Sequence, residues 1–409
     1  MNINFSIAIV NSCYNLNCAG DMLMFIMEKP YVSEFMVDTI VQNDWDILDN
    51  EVVRNSGIEK GALNIVSSKD AEDFYLKQEF PLIYSSSENA ISWVLEHLPK
   101  SNLSSYIRLF KDKIEFRKLL QTIYPNFFFR EVEYSEIEKI KAKDIKFPFV
   151  IKPSVGFLSL GVHTVRSAEE WNDVVKILDK EMTWAKSLYP QEVVNSSKFI
   201  IEELIEGKEF AIDAYYDRNG NAVILNIFEH PFLDAKDVSD RIYIMSEEIM
   251  IKYMAKFAQL LRKIGETIDI RNFPMHIEVR VKEDGEIIPI EVNPMRFAGW
   301  CTTDVAKYAW GVNVYEYFHN QKAPDWNKIL SEADGKIYYF SMAEVPSSVD
   351  RNSIHNFDYQ EFLSNYSNVL EVRRIDFHNN PLFAIIFGST TSMEEVHKIL
   401  ALKTKNYIV

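Results

Sequence analysis

The sequence predicts a mixed α/β and α+β protein, with a parallel α/β unit first, a hairpin-rich centre, and a small C-terminal α+β subdomain. Three observations carry this. Short apolar runs alternate with helical patterns up to about Ser105, as in parallel α/β units. Between Phe147 and Pro294, β-runs are joined at Glu-Gly, Asn-Gly and Asp-Gly, which are turn signals. The tail mixes two strand-like runs with a final helix. At 409 residues, 47% apolar and 25% charged, the chain has the composition of a folded protein with two or three cores. The expected boundaries are 1–105, 106–330 and 331–409.

Charge and composition exclude several classes. The net charge of −16 argues against a broad nucleic-acid surface, since phosphate binding is dominated by Lys and Arg. The opening MNINFSIAIVNS lacks a basic region before its short apolar run, and no stretch is long enough to span a membrane. A cytoplasmic protein is expected. Three cysteines, Cys13, Cys18 and Cys301, make an odd count that suits a reducing compartment, and Cys13 and Cys18 lack zinc-site companions. Glycine is scarce, at 13, and no repeat stands out, so the domains should pack closely.

In chain order, Phe5 to Val10, Ala62 to Val66 and Pro81 to Tyr84 read as strands, and Glu88 to Leu98 as a helix with Ile91, Val94, Leu95 and Leu98 on one face. No G-x-G-x-x-G follows the first strand, so a dinucleotide fold has no support. Asn11, Ser12 and Asn15, at that strand's end, fit either a ligand crevice or a polar turn. A helix begins in Lys111 to Leu120 with Ile114, Phe116 and Leu120 turned inward. Lys113 stands in its first turn, where the helix dipole disfavours a cation, which hints at an anionic partner.

Phe147 to Val165 reads as a strand ending in Lys152-Pro153, a loop carrying Ser154, Gly156, Ser159 and Gly161, and a returning run from Val162. Such a loop leaves N–H groups free for phosphate oxygens, with the lysine as a point charge. It is not a P-loop, because no G-K-[ST] and no helix follow. Glu169 to Asp179 looks helical, with Trp171, Val174, Val175 and Ile177 apolar. Phe199 to Tyr216 holds two β-runs, the first ending in Glu202-Glu203, adjacent acids that point to opposite faces. Another run, Ala222 to Phe228, precedes a helix capped by Ser246 and stopped at Gly265.

Met275 to Pro294 is the informative hairpin. A tight type I′ turn at Asp284-Gly285 sets Glu283 opposite Glu286 and Glu278 opposite Glu291. Carboxylates so placed repel unless a partner offsets them. Ile287, Ile288, Ile290 and Val292 give the second acid an apolar setting, and Asn293 shares its face, so a divalent cation with oxygen ligands fits, Mg²⁺ in particular. After Pro294 come Arg296, Gly299 and Trp300, then a helix into Val314, Tyr315 and Phe318. From about Lys336, strands are expected at Ile337 to Met342 and Leu382 to Phe387, and a helix at Met393 to Leu400.

Taken in order, these pieces resemble the ATP-grasp superfamily over Lys113 to about Phe318. The resemblance rests on Asp112-Lys113, on VIKPSVGFLSLGV with Lys152, on Glu202-Glu203-Leu-Ile-Glu-Gly207-Lys-Glu209, and on the set Glu278, Glu291 and Asn293. It implies an ATP-grasp fold with a pre-ATP-grasp N-terminal domain and a lid subdomain at about 130–205. It also implies that Lys113 and Lys152 meet ATP phosphates, and that Ser154 to Gly161 close over the β- and γ-phosphates. Glu202, Glu203 and Ile205 would lie at the adenine and Glu209 at the ribose. Glu278, Glu291 and Asn293 would hold one or two Mg²⁺, with Mn²⁺ as a substitute. The lid has Val155, Phe157, Leu158 and Leu160 where relatives often carry glycines, and Met295 intervenes so that Arg296 comes one residue later than in many relatives.

The H-x-E-x-R arrangement of His276, Glu278 and Arg280 is similar to that of amino-acid ligase-like and biotin carboxylase-like branches. Arg280 reads either as the anchor of a substrate carboxylate or acyl phosphate, or as half of a salt bridge. Arg296 is placed near the transferred phosphate or the acceptor carboxylate, and His276 as a hydrogen-bonding structural residue. The resemblance implies an ATP-dependent carboxylate–amine ligase working through an acyl phosphate on small-molecule carboxylate and amine substrates. The alternatives are a bicarbonate-using carboxylase and a non-catalytic ATP-binding regulatory module. Oligomeric state is open, a homodimer being an ordinary outcome.

Overall fold

The computed structural model describes residues 23–58, 61–155, 161–188, 198–233 and 239–409, with the backbone alone for 183–188. The expected strand at Phe5 to Val10, the polar group Asn11, Ser12 and Asn15, Cys13 and Cys18, and the loop residues Gly156 and Ser159 lie outside these.

Among the described residues three sheets form. The first is parallel: β1 (Met24–Ile26), β2 (Asp46–Leu48), β3 (Asn64–Val66) and β4 (Ile83–Ser85), in the order β3-β2-β1-β4. Every residue of β1, β2 and β4 is buried, which is the signature of a sheet covered on both faces. Strands of three residues leave no periodicity to read, and β1 and β2 add to the expected set. After this sheet come the helix Asn102–Lys111 and the expected helix, Lys113–Leu120, with Lys113 in its first turn. Asp112 breaks them apart with extended backbone, and its side chain accepts from the N–H groups of Ile114 and Glu115.

The second sheet is antiparallel: β5 (Phe129–Glu133), β6 (Phe149–Pro153), β7 (His163–Val165) and β8 (Lys198–Glu203), in the order β5-β8-β6-β7. The helix Ala168–Leu188 packs on it, burying Trp171, Val174, Leu178 and Met182 against Phe149, Ile151 and Phe199. That stripe at spacings of three and four passes Ile177 by. Ile177, expected inside, is 43% exposed.

The third sheet has eight antiparallel strands: β9 (Lys208–Tyr216), β10 (Ala222–His230), β11 (Ile242–Ser246), β12 (Phe273–Val281), β13 (Ile287–Pro294), β14 (Ile337–Glu344), β15 (Val369–Arg374) and β16 (Leu382–Thr390). Their order is β13-β12-β9-β10-β11-β14-β16-β15. Because β11 pairs with both β10 and β14, the C-terminal strands continue the central sheet. The helix Glu247–Thr267 starts as expected, Ser246 Oγ accepting from the Ile249 N–H at 3.3 Å. Gly265 is not its stop, since the helix runs to Thr267. A Cβ at Gly265 would stand 2.7 Å from the Tyr216 ring, so the glycine is there to let helix and sheet approach. Beyond β13, the expected single helix is two short ones, Val305–Trp310 and Val314–His319, parted by Gly311 at φ +63°.

Candidate active site

The two acids of the hairpin face each other, by a different route from the one expected. The Lys282 N–H donates to Glu286 O at 2.8 Å and the Gly285 N–H to Lys282 O at 3.0 Å, with Gly285 at φ +85°. This is a three-residue loop, not a two-residue type I′ turn, and Lys282 rather than Glu283 faces Glu286. Between the pairs Val279↔Pro289 and Glu278↔Glu291 one extra residue, Ile290, bulges from β13. The two one-residue offsets cancel, so Glu278 pairs with Glu291 and His276 with Asn293.

The side chains of Glu278 and Glu291 are 23% and 29% exposed. Lys113 Nζ lies 2.9 Å from Glu291 Oε2, which supplies the anionic partner its place in the first helical turn called for. Asn293 Nδ2 donates to Glu278 Oε1 at 3.3 Å. Burial, then the facing Glu291 and the nearby Glu209 and Asp240, push the Glu278 carboxyl well above the usual carboxylate range against the pull of Arg296. Burial also opposes charge on Glu291, yet Lys113 and Lys152 bring that carboxyl down to about 2. The two facing carboxyls are thus pushed in opposite directions by their surroundings.

A divalent cation fits here, because its charge would offset the repulsion between the facing carboxylates. Among the described residues no three His, Cys, Asp or Glu side chains gather around a point suited to a metal. Two carboxylates and one amide leave room for water and phosphate oxygens, as Mg²⁺ prefers, with Mn²⁺ also compatible.

The second lysine is deeper. Lys152 Nζ lies 2.6 Å from Glu202 Oε1, and Arg117 Nε donates to Glu202 Oε2 at 2.6 Å. Arg117 Nη1 donates to Pro289 O on β13 at 2.6 Å. Burial opposes charge on Glu202, but Arg117 and Lys152 hold its carboxyl down at about 2. Burial, with Arg117 and Lys113 nearby, lowers Lys152, while Glu202 works the other way. Glu202 is thus the buried member of the adjacent pair and Glu203 the half-buried one.

Ser154 ties the incoming strand to the Lys113 helix. Its hydroxyl donates to Asp112 Oδ1 at 2.6 Å, its carbonyl accepts from the Lys113 N–H at 2.8 Å, and its own N–H donates to Lys198 O at 3.0 Å. The N–H that was expected to be open for phosphate is therefore already used. Gly161, at the far end of the loop, has φ +72°.

At the expected adenine and ribose end, the N–H groups of Glu203 and Leu204 donate to Phe128 O and Pro148 O, at 3.1 and 3.3 Å. Ile205 O accepts from Arg280 Nη1 at 2.7 Å. Glu209 is held by Arg280 Nε and Nη2 at 3.1 and 2.9 Å and by His230 Nδ1 at 3.1 Å. Of the two expectations for Arg280, the geometry takes the salt bridge, with the guanidinium pinning Glu209 to the Ile205 carbonyl in the hinge between β8 and β9. Arg296 stays closer to the acids. Its Nη1 donates to Phe297 O at 2.9 Å, and its charge pulls on Glu278. Met295, the residue that displaces it, is buried at φ +67° and clamped by the Ser85 N–H on its carbonyl at 2.9 Å.

Sequence reasoning missed Asp213 and Arg117. Asp213, fully buried, accepts from His276 Nδ1 at 2.8 Å, the Ala298 N–H at 2.7 Å and Asn226 Nδ2 at 3.0 Å. It fixes His276, whose Nε2 stands 3.8 Å from Glu278 Oε1, and the turn that carries Arg296. A lone acid in the apolar run FAIDAYY was the available signal. Arg117, beside Phe116 on a helix with mixed faces, gave none. The N-terminal sheet closes this end: Tyr31 stacks on Trp300 with ring centroids 6.1 Å apart, and Glu88 pairs with Lys111 at 2.8 Å. A cleft of about 480 Å³, lined by Lys29, Tyr31, Glu34, Asp38 and Glu51 among others, opens at the carboxyl ends of β1 and β2.

Residues 145–304 match the family model described as an ATP-grasp domain. No curated protein matches the chain. Among solved structures, an L-amino acid ligase from Bacillus licheniformis aligns over 94% of this chain and 97% of its own, with TM-score 0.61 and 17% identity. Biotin carboxylase from Campylobacter jejuni aligns over 95% and 91%, with TM-score 0.62 and 12% identity. N5-carboxyaminoimidazole ribonucleotide synthetase from Thermotoga maritima aligns over 93% and 96%, with TM-score 0.61 and 13% identity. The likeness at these identities is one of fold.

Proposed function

We propose, on the footing of the ATP-grasp domain matched at residues 145–304, that the chain is an ATP-dependent, ADP-forming carboxylate–amine ligase. The observation that carries this reading is the facing pair Glu278 and Glu291 with Lys113 on one acid and Lys152 nearby. Carboxylates that want a cation, set beside lysines that want anions, describe a seat for a metal-bound polyphosphate.

In this reading Glu278, Glu291 and Asn293 hold one or two Mg²⁺, which when bound supply positive charge to the phosphate oxygens. Lys113 and Lys152 neutralise the same oxygens as charge shifts during transfer. A substrate carboxylate oxygen attacks the γ-phosphorus, the bond to the β–γ bridging oxygen breaks, and ADP leaves with that electron pair. The amine then attacks the carbonyl carbon of the acyl phosphate and loses a proton, and inorganic phosphate departs, leaving an amide. Arg296 is the cation placed to meet the substrate carboxylate, since guanidinium matches carboxylate in two bonds. Arg280 serves the hinge through Glu209 and Ile205. Residues 1–105, 106–330 and 331–409 remain our proposed division, with the lid at about 130–205.

The test incubates the protein with Mg-ATP and panels of amino acids and other carboxylates with amines. ADP release that needs both a carboxylate and an amine supports the ligase. Release that needs bicarbonate supports a carboxylase instead, and tight ATP binding without release supports a regulatory module. Among the described residues no helix is long and apolar enough to cross a membrane.

A further inference from the structure

Arg117, Lys152 and Glu202 form a buried triad in which two cations share one carboxylate, with side chains 3%, 7% and 3% exposed. Lys113 is matched by Glu291, so the uncompensated positive charge belongs to the triad. Burying a charge is costly unless it is paired, which makes an odd triad a feature to explain.

The two cations are not equivalent. Arg117 is anchored on three sides: by Glu202, by Pro289 O on β13, and by the Phe127 ring, whose centroid lies 4.5 Å from the guanidinium carbon. Lys152 has Glu202 as its one ion pair among the described residues, and it projects from the penultimate residue of β6. Arg117 Nη2 is buried without a partner. Nε and Nη2 are the two donors a guanidinium offers side by side, as Arg280 does to Glu209 and Arg373 to Glu371. Arg117 therefore holds Glu202 by half of a fork, and Lys152 occupies the oxygen the other half would take.

We propose that Arg117 is a positioning residue that keeps Glu202 paired when Lys152 leaves it for the phosphate oxygens of a bound nucleotide. With both cations present, the departure of Lys152 yields two satisfied pairs, Lys152 with phosphate and Arg117 with both oxygens of Glu202. With Lys152 alone, the same movement would strand a buried carboxylate, and Lys152 would stay where it is. This rests on the reading that Lys152 meets nucleotide phosphates.

The experiment compares dissociation constants for Mg-ATP and for adenosine, which has no phosphate, by calorimetry. Arg117→Gln is expected to weaken ATP at least tenfold while leaving adenosine unchanged. Arg117→Lys, which keeps the charge but not the paired donors, recovers only part of the loss. The double variant Arg117→Gln with Glu202→Gln restores ATP binding, because Lys152 then has no carboxylate to abandon. A residue that merely props the fold would make the double variant worse. Wild-type ATP affinity in Arg117→Gln, or no recovery in the double variant, overturns the proposal. Should Arg117→Gln not fold, the double variant alone decides, by whether its preference for ATP over adenosine matches wild type or collapses. Lys152→Met is the control: if it binds ATP like wild type, the reading of Lys152 itself falls.

Discussion

Glu278 and Glu291 lie directly opposite each other in the β12–β13 ladder, yet one carboxyl is pushed up and the other down to about 2. The asymmetry comes from Lys113, which reaches Glu291 and not Glu278. Lys113 favours the charged form of Glu291, and a divalent cation bound beside the pair would favour the charged form of Glu278 as well. Glu291→Gln keeps the shape and an acceptor for Lys113 but removes that charge. Turnover with Mg-ATP should fall roughly 100-fold or more, while circular dichroism and melting stay near wild type.

Glu202 gives a pH prediction with a definite sign. Its carboxyl is held at about 2 against an ordinary 4.5, so the folded state binds fewer protons than the unfolded one in between. The stability it contributes is present above pH 4.5 and is lost as pH falls from 4.5 toward 2. The shift corresponds to on the order of 3 kcal/mol. Chemical denaturation at several pH values should show this slope in wild type, and Glu202→Gln should flatten it.

Asp213 joins β12 to the turn that carries Arg296, through His276 and the Ala298 N–H. Asn at this position offers one acceptor oxygen and turns two hydrogens toward existing donors. Asp213→Asn should raise the Mg²⁺ concentration needed for half-maximal ADP release about tenfold, as loss of a partner that orients a site does elsewhere. An unchanged Mg²⁺ titration would show that Asp213 only packs.

Gly207, in the hinge between β8 and β9, has φ +117°, and a Cβ there would stand 2.2 Å from Val281 O. Both the backbone conformation and the backbone contact exclude a side chain. Gly207→Ala should cost roughly 2 kcal/mol or more in urea unfolding and should weaken adenosine binding, since the hinge must move to admit the methyl.

The parts of the site visible in the sequence were those set by short-range rules. A turn signal and period-2 alternation are enough to bring Glu278 near Glu291, and the order of Lys113, Lys152, the Glu202 to Glu209 hinge and Asn293 carries the fold. What escaped depends on tertiary detail. The bulge at Ile290 is invisible because another isoleucine in an apolar run looks like one more strand residue. Strand β11, which fuses the C-terminal strands to the central sheet, is five residues beside a stronger helix signal. The partner of Arg280 and the three donors on Asp213 come from separate segments of the chain, and no local pattern names them.

The central claim is that bound ATP is spent only when a carboxylate and an amine are both present. The most direct measurement is ADP release from Mg-ATP across a matrix of carboxylates and amines, run with wild type and with Glu291→Gln. The account predicts a pair that gives ADP and phosphate in equal amounts with an amide product, absent when either substrate is omitted and lost in Glu291→Gln. ADP release that follows bicarbonate without an amine, or that survives Glu291→Gln, would contradict it.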